Sequence, residues 1–207
     1  MSAARQACLI VVFAKAPLAG YAKTRLIAAL GAQGAAALAL RMLRHTIDES
    51  LAAGLGPVEL CCAPNAGHPA FAAAADARLI ITDQGEGDLG QRMARAMDRG
   101  LAQYDKVLLI GSDAPTLDAA VLRSAAAALA RHDAVFVPAL DGGYVLVGLR
   151  RGIPEIFEDM PWSTPLVMQR TRERLGLPGV GASHAELAPL PDIDVPADLV
   201  HLPEGWL

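Results

Sequence analysis

The chain has 207 residues, of which 53% are hydrophobic but only 4% aromatic, and its formal net charge is −4. This length suits one filled core built mainly from Ala, Leu and Val, so we predict a single domain over residues 1–207. The slightly acidic balance argues against a nucleic-acid or anionic-membrane partner, and no apolar run of the sequence reaches the length of a membrane span.

Short apolar runs alternate with Ala- and Leu-rich helical stretches along most of the chain. We predict strands at 8–13, 58–63, 78–82, 106–110, 134–138 and 144–149, and helices at 35–51, 71–75, 89–101 and 118–130. This alternation predicts an α/β fold, a three-layer α/β/α sandwich around a mixed, mainly parallel sheet. Only a short loop separates Pro138 from Tyr144, so the last two strands are predicted to be antiparallel.

The pattern loosens after residue 149. Thr164 followed by Pro165 predicts an N-cap and a first-turn proline for a helix that ends near Leu175. The Gly- and Pro-rich stretch 177–185 is predicted to be a loop, and Asp194 is a candidate N-cap for a short final helix.

Cys8, Cys61 and Cys62 all lie in strand-like runs. Adjacent strand residues point to opposite faces of a sheet, which argues against a redox pair at Cys61 and Cys62 and favours free buried thiols. Free thiols fit a reducing compartment, and the early apolar run is short for a signal peptide. We therefore expect a cytoplasmic location.

A basic loop follows the first predicted strand, with Lys15, Gly20, Lys23 and Arg25 within about a dozen residues. Ligands of open α/β sheets bind beyond the carboxyl ends of the strands, so we predict a nucleotide phosphate site here. The spacing does not fit a P-loop, because Pro and Ala stand where its two glycines would be, and it does not fit the GxGxxG pattern. The alternative is a solvated basic surface loop.

A Gly-rich turn follows the third predicted strand and leads into a helix. Its glycines would allow a planar ring to approach the backbone, and free N–H groups at the helix start could contact a ring edge or a phosphate. The alternative is a loop in which Asp88 is only an N-cap. The residues predicted here to bind the nucleotide are Gln84, Gly85, Gly87, Asp88, Leu89 and Arg92.

Asp113 follows the fourth predicted strand, and Asp141 to Tyr144 precede the sixth. A carboxylate at a strand end beside a phosphate site is a candidate ligand for Mg²⁺ or Mn²⁺, although Asp113 could also simply initiate a turn before Pro115. Asp141 could bind a substrate hydroxyl or act as a base, although Asp-Gly between two strands is also a hairpin signal. Predicted substrate-binding residues are Asp141, Gly142, Gly143, Tyr144, Trp162 and Thr164.

As an ordered set, the stretches 13–26, 84–93, 108–117, 141–149 and 162–164 resemble the nucleotide-diphospho-sugar transferase superfamily with its GT-A fold. Within it the chain is most similar to the radical-SAM/selenodomain-associated transferase 1 family. It more distantly resembles the guanylyltransferases that act on phospholactate and molybdenum cofactor.

The resemblance implies a role for each matching position. Lys15, Lys23 and Arg25 would contact phosphates, the turn at 85–89 would contact the base, and Asp113 would hold the metal. Asp194, in the tail DIDVPADL, would be a second metal ligand. The first-loop residues assigned to nucleotide binding are Ala14, Lys15, Gly20, Lys23, Thr24 and Arg25.

The leading hypothesis is a metal-dependent glycosyltransferase, using Mg²⁺ or Mn²⁺, that moves a sugar from a nucleotide-diphospho-sugar to a small acceptor. Lys23, Asp113 and Asp141 would be its catalytic residues. One alternative is a guanylyltransferase-like nucleotidyltransferase that joins an NTP to a small phosphorylated acid, and another is a non-catalytic nucleotide-binding protein. No nucleic-acid or membrane partner is expected, and the oligomeric state stays open.

Overall fold

The computed structural model of the protein describes residues 8–206; residues 1–7 and 207, which belong to the predicted domain range, lie outside the described residues. Seven strands form one sheet in the order β3-β2-β1-β4-β6-β5-β7. The strands are β1 Leu9–Lys15, β2 Val58–Ala63, β3 Leu79–Asp83, β4 Val107–Gly111, β5 Ala134–Pro138, β6 Tyr144–Leu149 and β7 His184–Glu186.

The sheet is mixed and mainly parallel, as predicted. β3, β2, β1 and β4 run parallel to one another, whereas β6 is antiparallel to both of its neighbours, β4 and β5. β7 pairs in parallel with β5. Because β6 runs the opposite way, its first residue lies at the same edge of the sheet as the last residues of β1 and β4.

Four α-helices cover the two faces of the sheet: α1 Ile27–Ala53, α2 Leu89–Leu101, α3 Ala119–Ala128 and α4 Val167–Leu175. One apolar cluster joins Ile10 and Val12 to side chains of α1 and α3, and a second joins Leu9 and Val11 to side chains of α2 and α4. The alternation along β1 thus places successive residues in opposite cores. The α/β/α three-layer prediction is confirmed; the single-domain range 1–207 stays a prediction.

α1 begins earlier than predicted, and Gly31 interrupts it with φ 71° and ψ 165°. The sequence-based statement that no apolar run reaches the length of a membrane span needs correction: Thr24–Ala53 is long and apolar enough by length and composition alone, a property that core helices of soluble proteins share. In this fold Leu43 and Ile47 of that helix belong to the core cluster shared with α3.

Three local predictions near the chain's end were wrong. Strand β7 forms at 184–186, where a loop was predicted. α4 begins at Val167, and the hydroxyl of Thr164 donates to Pro161 O at 2.7 Å instead of capping the helix. The final helix is a 3₁₀ helix, Pro196–His201, whose N-cap is Val195 and not Asp194, and the N–H of Val195 donates to the carboxylate of Asp198.

Two shorter 3₁₀ segments, Thr24–Leu26 and Pro154–Ile156, complete the connections, and the helix predicted at 71–75 is the 3₁₀ helix Pro69–Ala74.

Candidate active site

A cleft of about 610 Å³ opens at the sheet edge where β1 and β4 end and β6 begins. Its volume is in the range of small-molecule sites. The predicted site residues that line it are Lys15, Lys23, Thr24, Arg25, Gln84, Leu89, Arg92, Asp113, Asp141, Gly143, Tyr144, Trp162, Thr164 and Asp194. The remaining predicted residues, which are Ala14, Gly20, Gly85, Gly87, Asp88 and Gly142, are not in its lining.

Lys23 bridges the two carboxylates that were predicted to hold metal. Its Nζ lies 2.7 Å from Asp194 Oδ1 and 3.0 Å from Asp113 Oδ1. Only 6% of the Lys23 side chain is exposed, against 46% for Asp113 and 45% for Asp194. The ammonium is therefore enclosed, whereas each carboxylate also faces the cleft.

The charges of this trio are strongly coupled. Burial alone lowers the pKa of Lys23, but the carboxylates of Asp113 and Asp194 outweigh it and the net pKa is raised. Burial raises the pKa of Asp194, but Lys23, Arg25 and Lys15 lower it further than burial raises it. The raised pKa of Lys23 and the lowered pKa of Asp194 both favour the charged form of the group at neutral pH.

The backbone of Lys23 adopts a left-handed conformation, φ 49° and ψ 43°. A residue with a Cβ seldom takes this conformation, and such residues concentrate at functional sites. The unusual backbone directs the Lys23 side chain inward, while Lys15 and Arg25, on either side in the sequence, remain exposed.

Asp194 reaches the site from the far end of the chain. The N–H of Ile193 donates to the carbonyl oxygen of Asp113 at 2.9 Å, which fixes the tail to the end of β4. The carboxylate of Asp198 then accepts from the N–H groups of Asp194 (2.9 Å) and Val195 (2.7 Å). These bonds hold the backbone of Asp194 beside Asp113.

A third and a fourth carboxylate, Asp141 and Asp192, lie on the same side of the cleft. Burial, together with the charges of Asp141 and Asp194, raises the pKa of Asp192 to about 6. Asp141 sits in the predicted hairpin turn, where its Oδ1 accepts from Gly143 N at 2.8 Å. Asp141 thus takes part in the hairpin turn and also lines the cleft.

Gln84 is a buried anchor beneath the Gly-rich turn. Its Nε2 donates to Ala14 O (3.0 Å) and Cys61 O (3.1 Å), while its Oε1 accepts from Arg92 Nη1 at 2.9 Å. The side chain therefore ties β1, β2 and α2 together and holds the guanidinium of Arg92 at the cleft wall.

Asp88 is an N-cap, which is the alternative considered for it in the sequence analysis. Its Oδ1 accepts from Gln91 N at 2.9 Å, and the Gln91 side chain accepts from Asp88 N at 3.0 Å. This reciprocal capping box accounts for Asp88 as the N-cap of α2.

Aromatic side chains also line the cleft. Tyr144 and Trp162 are nearly perpendicular, with ring centroids 6.4 Å apart. Trp162 packs close to Gly90 of α2, at a position where a Cβ would lie 2.9 Å from the indole nitrogen. Burial raises the pKa of Tyr144. The cleft is thus polar at the ends of β1 and β4 and aromatic beside α2.

Among the lining residues to which the sequence reasoning gave no role are four with polar side chains, Tyr21, Ser112, Ser163 and Asp192. Tyr21 and Ser112 adjoin predicted site residues in the sequence, so their position in the same loops was the available signal. Asp192 lies two residues before Asp194, but nothing in the sequence distinguished its acid from a solvated one.

The carboxylates of Asp113 and Asp194 are the candidate ligands for a divalent cation in this cleft. The described residues contain no group of three or more His, Cys, Asp or Glu side chains arranged for a metal. Asp113 and Asp194 nevertheless converge on one cation, the Lys23 ammonium, and remain open to the cleft. Two carboxylates completed by substrate phosphates and water are a usual Mg²⁺ set, so the residues fit.

This sheet and cleft define an enzyme of the transferase class with a nucleotidyltransferase or GT-A type of fold. The chain belongs to the family described as "Uncharacterized protein conserved in bacteria (DUF2064)", whose model matches residues 46–164. That match contains Gln84, Asp113, Asp141 and Trp162; the first loop and Asp194 lie outside it.

Two relatives and one more distant structure extend the likeness. The 3-phospho-D-glycerate guanylyltransferase of Phenylobacterium zucineum (strain HLK1) is 31% identical over 189 residues, covering 89% of this chain and 85% of the relative. A crystal structure from Desulfovibrio desulfuricans G20, named a candidate nucleotide-diphospho-sugar transferase, has a TM-score of 0.85 at 30% identity and covers 93% of this chain and 84% of that one.

The more distant structure is Rv0371c of Mycobacterium tuberculosis H37Rv in complex with manganese. It shares the fold at a TM-score of 0.59 and 16% identity, over 96% of this chain and 98% of that one. The resemblance to nucleotide-diphospho-sugar transferases and guanylyltransferases is confirmed. Taken together, the relatives support nucleotidyl transfer better than the glycosyl transfer that led the sequence-based expectations.

Proposed function

We propose that the protein is a metal-dependent nucleotidyltransferase that joins a nucleoside triphosphate, GTP in the first instance, to a small phosphorylated acid. The observation that carries the proposal is the convergence of Lys15, Lys23 and Arg25 with Asp113 and Asp194 in one cleft. Cations beside paired carboxylates suit a triphosphate bound with a divalent ion. The guanylyltransferase name of the 31% identical relative supports the choice of GTP and of a phosphoglycerate-like acceptor.

Lys15 and Arg25 are the residues proposed to hold the triphosphate. Both side chains are exposed and line the cleft, and both are near enough to Asp194 to lower its pKa. A guanidinium can bind two phosphate oxygens at once, whereas an ammonium acts as a compact point charge. Their fixed positive charge would stabilise the negative charge that develops on the leaving diphosphate.

The proposed reaction forms one bond and breaks one. An oxygen of the acceptor attacks the α-phosphorus of GTP, the bond from that phosphorus to the β-bridging oxygen breaks, and pyrophosphate leaves with the bonding electrons. An acceptor phosphate with a second pKa near 6 is largely ionised at neutral pH and needs no base. In agreement with this, the cleft-lining residues of the described chain include no histidine.

Asp113 and Asp194 would hold the divalent cation. A bound divalent ion would supply positive charge that offsets part of the negative charge of the phosphates. Mg²⁺ or Mn²⁺ would suit these oxygen ligands, and the manganese complex of the distant structural relative is consistent with either. Asp141 and Asp192 are proposed to orient the acceptor, since both lie beside the two ligands and face the cleft.

The base is proposed to contact the cleft wall formed by Gln84, Leu89 and Arg92. The acceptor is proposed to contact Tyr144, Trp162 and Thr164. Gly85, Gly87 and Gly20 have positive φ values, so they would act by shaping their loops and not by touching the ligand. A cytoplasmic location remains a prediction.

Pyrophosphate release tests the proposal. Purified protein is incubated with Mg²⁺, 3-phosphoglycerate and each of the four NTPs, and pyrophosphate is measured by a coupled phosphate assay. We expect release with GTP that depends on the acceptor. No release with any NTP, combined with nucleotide diphosphate release from UDP- or GDP-sugars, would replace nucleotidyl with glycosyl transfer.

Charge-removing variants locate the reaction in the cleft. Lys15→Met and Arg25→Met are each expected to lower kcat/KM for GTP about 10- to 1,000-fold, the usual cost of losing a charged group that binds the transition state. The matched control is Arg131→Met, since Arg131 is an exposed cation outside the cleft lining. A control that loses as much activity would show that net charge, and not the cleft, matters.

A further inference from the structure

We propose that the Lys23 ammonium occupies the place of the divalent cation in the nucleotide-free enzyme, so that the metal binds together with the nucleotide and not before it. This inference rests on the proposed function, because it assumes that Asp113 and Asp194 are the metal ligands. It adds a binding order and assigns Lys23 to the control of that order.

The Lys23 ammonium lies between the carboxylates of Asp113 and Asp194, where a bound cation would lie. One nitrogen lies within 3.0 Å of a carboxylate oxygen from β4's end and 2.7 Å of one from the C-terminal tail. Lys23 contacts both carboxylates at once, although it lies 171 residues from Asp194 in the sequence. A metal bound to the same two oxygens would have to take the position of the ammonium.

Because the Lys23 side chain is buried, replacement of its ammonium by a metal ion is unfavourable when no nucleotide is bound. With 6% of its side chain exposed, Lys23 would lose both of its anionic partners without gaining water in return. A buried charge without a partner is strongly destabilising, so free Mg²⁺ or Mn²⁺ should bind weakly to the resting protein. A nucleotide removes this obstacle because its phosphates give the displaced ammonium a new partner.

The loop that carries Lys23 has room to make this exchange. Lys23 itself is in the left-handed region at φ 49°, and Gly20, three residues earlier, is at φ 78° with no atom within 4 Å of where a Cβ would be. Tyr21 lies between them, exposed at the cleft rim. A change in backbone torsion at Gly20 and Lys23 would swing the Lys23 side chain from the carboxylates to a phosphate, with the buried Ala22 between them as the part of the loop attached to the core.

Lys23→Met tests the proposal, since methionine keeps most of the side-chain length but carries no charge. Binding of Mn²⁺ without nucleotide is followed by the EPR signal of free Mn²⁺, and the melting temperature is measured with and without Mn²⁺. For the wild-type protein we expect weak Mn²⁺ binding and no thermal shift. For Lys23→Met we expect a lower melting temperature, Mn²⁺ binding at least tenfold tighter, and recovery of the melting temperature on adding Mn²⁺.

Three control variants separate the effect of the position of Lys23 from the effect of net charge. Lys15→Met removes a neighbouring cation that does not contact Asp113 or Asp194, and it should tighten Mn²⁺ binding less than threefold. The double variant Lys23→Met/Asp194→Asn should lose the gained Mn²⁺ affinity. Lys23→Arg, which keeps the positive charge, should behave as the wild type.

The proposal is overturned if nucleotide-free wild type binds Mn²⁺ as tightly as Lys23→Met, or if Lys15→Met gains as much affinity. If Lys23→Met is unfolded without metal, circular dichroism on adding Mn²⁺ gives the answer: refolding supports the exchange, and no refolding overturns it. Pyrophosphate release is not measured in these experiments, so their failure would not contradict the nucleotidyltransferase proposal. Equally, an absence of pyrophosphate release would not contradict the exchange of Lys23 for a metal ion.

Discussion

The N–H of Ile193 donates a 2.9 Å hydrogen bond to the carbonyl oxygen of Asp113, and this bond joins the C-terminal tail to the centre of the cleft. Ile193 is completely buried in a small cluster with Leu26 and Met42. The tail is therefore attached by apolar packing as well as by this hydrogen bond. The site thus depends on a tail segment with little regular structure of its own.

Asp198→Ala should loosen this tail. The Asp198 carboxylate accepts from the N–H groups of Asp194 and Val195, and its loss should lower the free energy of unfolding by about 1–3 kcal/mol. Because Asp194 then loses its support, we expect metal-dependent GTP affinity to fall roughly 10- to 100-fold. Urea unfolding and isothermal titration with Mg²⁺ and GTP measure the two effects.

The matched control for that variant is Asp118→Ala. Asp118 also caps a helix by accepting from a backbone N–H, that of Val121 at 2.8 Å, but it is not in the cleft lining. Its loss should cost about 0.5–2 kcal/mol of stability and leave GTP affinity unchanged. An equal loss of affinity in both variants would mean that stability alone explains the effect.

Local sequence patterns predicted most of the fold because the central strands are buried on both faces. β5 is a continuous apolar run and β2 is apolar except for Glu59, and the sequence placed the ends of both at the observed residues. β7 escaped prediction because it has only three residues, His184–Glu186, none of them a strong strand former, and it pairs with β5 through tertiary contacts that a local pattern does not contain.

The site was predictable as a group of strand-end loops, but not in its internal pairing. The architecture alone brings Lys23 and Asp113 to one edge of the sheet. It does not specify that Lys23 binds the carboxylates and leaves Lys15 and Arg25 exposed, since that depends on the left-handed backbone at Lys23 and on the attachment of Asp194 through the tail. Their functional roles remain predictions.

Gly90→Ala should be destabilising because α2 begins in direct contact with a loop. A Cβ at Gly90 would overlap the carbonyl oxygen of Phe157 and lie 2.9 Å from Trp162 Nε1. Overpacking of this kind costs about 1–3 kcal/mol, and here it would also push Trp162 towards the cleft. Thermal unfolding and tryptophan fluorescence measure the two consequences.

Gly152→Ala is the control for that substitution, since nothing lies within 4 Å of its Cβ position and its φ is not in the left-handed region. We expect its stability to stay within about 0.5 kcal/mol of the wild type. Equal destabilisation by both alanines would contradict the close approach at Gly90.

Asp133→Asn should weaken the protein at neutral pH but not in acid. Burial alone raises the pKa of Asp133, but hydrogen bonds from Ser183 and the charges of Arg151 and Arg150 lower it overall. A carboxyl with a lowered pKa stabilises the fold above its unfolded pKa of about 3.9, and this contribution disappears as the pH falls through the folded value.

At pH 7 the free energy of unfolding of Asp133→Asn should be about 1–3 kcal/mol below that of the wild type, the usual contribution of hydrogen bonds to a charged group. The difference should shrink as the pH falls below about 3.9, because the wild-type carboxyl then becomes protonated as the pH approaches its lowered folded pKa. Urea unfolding at pH 7, 5 and 3 measures it, with the exposed Asp105→Asn as control. A difference that does not vary with pH would rule out the ionic contribution.

The three cysteines should be unreactive in the folded protein. Cys8, Cys61 and Cys62 are free and buried, and burial raises the pKa of Cys8 to about 11 and that of Cys62 to about 12. Since the thiolate is the nucleophile, iodoacetamide at pH 8 should modify none of them in the native state and all three after unfolding. Mass spectrometry counts the adducts, and rapid native modification of any one of them would show that the sheet opens there.

Gln84 gives the sharpest test of how the cleft wall is built, because its amide is both donor and acceptor in a buried position. Gln84→Met keeps the shape but leaves Ala14 O and Cys61 O without their donor and frees Arg92, so we expect a loss of about 2–4 kcal/mol. Gln84→Glu should be worse, although it retains the acceptor for Arg92, because a carboxylate would face the same two carbonyl oxygens with no hydrogen to donate.

The order of the two variants therefore distinguishes a hydrogen-bonded anchor from a residue held only by packing. At the exposed Gln103, the same pair of substitutions should change stability by no more than about 0.5 kcal/mol. Differential scanning calorimetry at pH 7 measures all four proteins. If Gln84→Glu proved as stable as the wild type, the salt bridge to Arg92 would outweigh the two lost amide bonds, and the amide could not be the group that fixes the cleft wall.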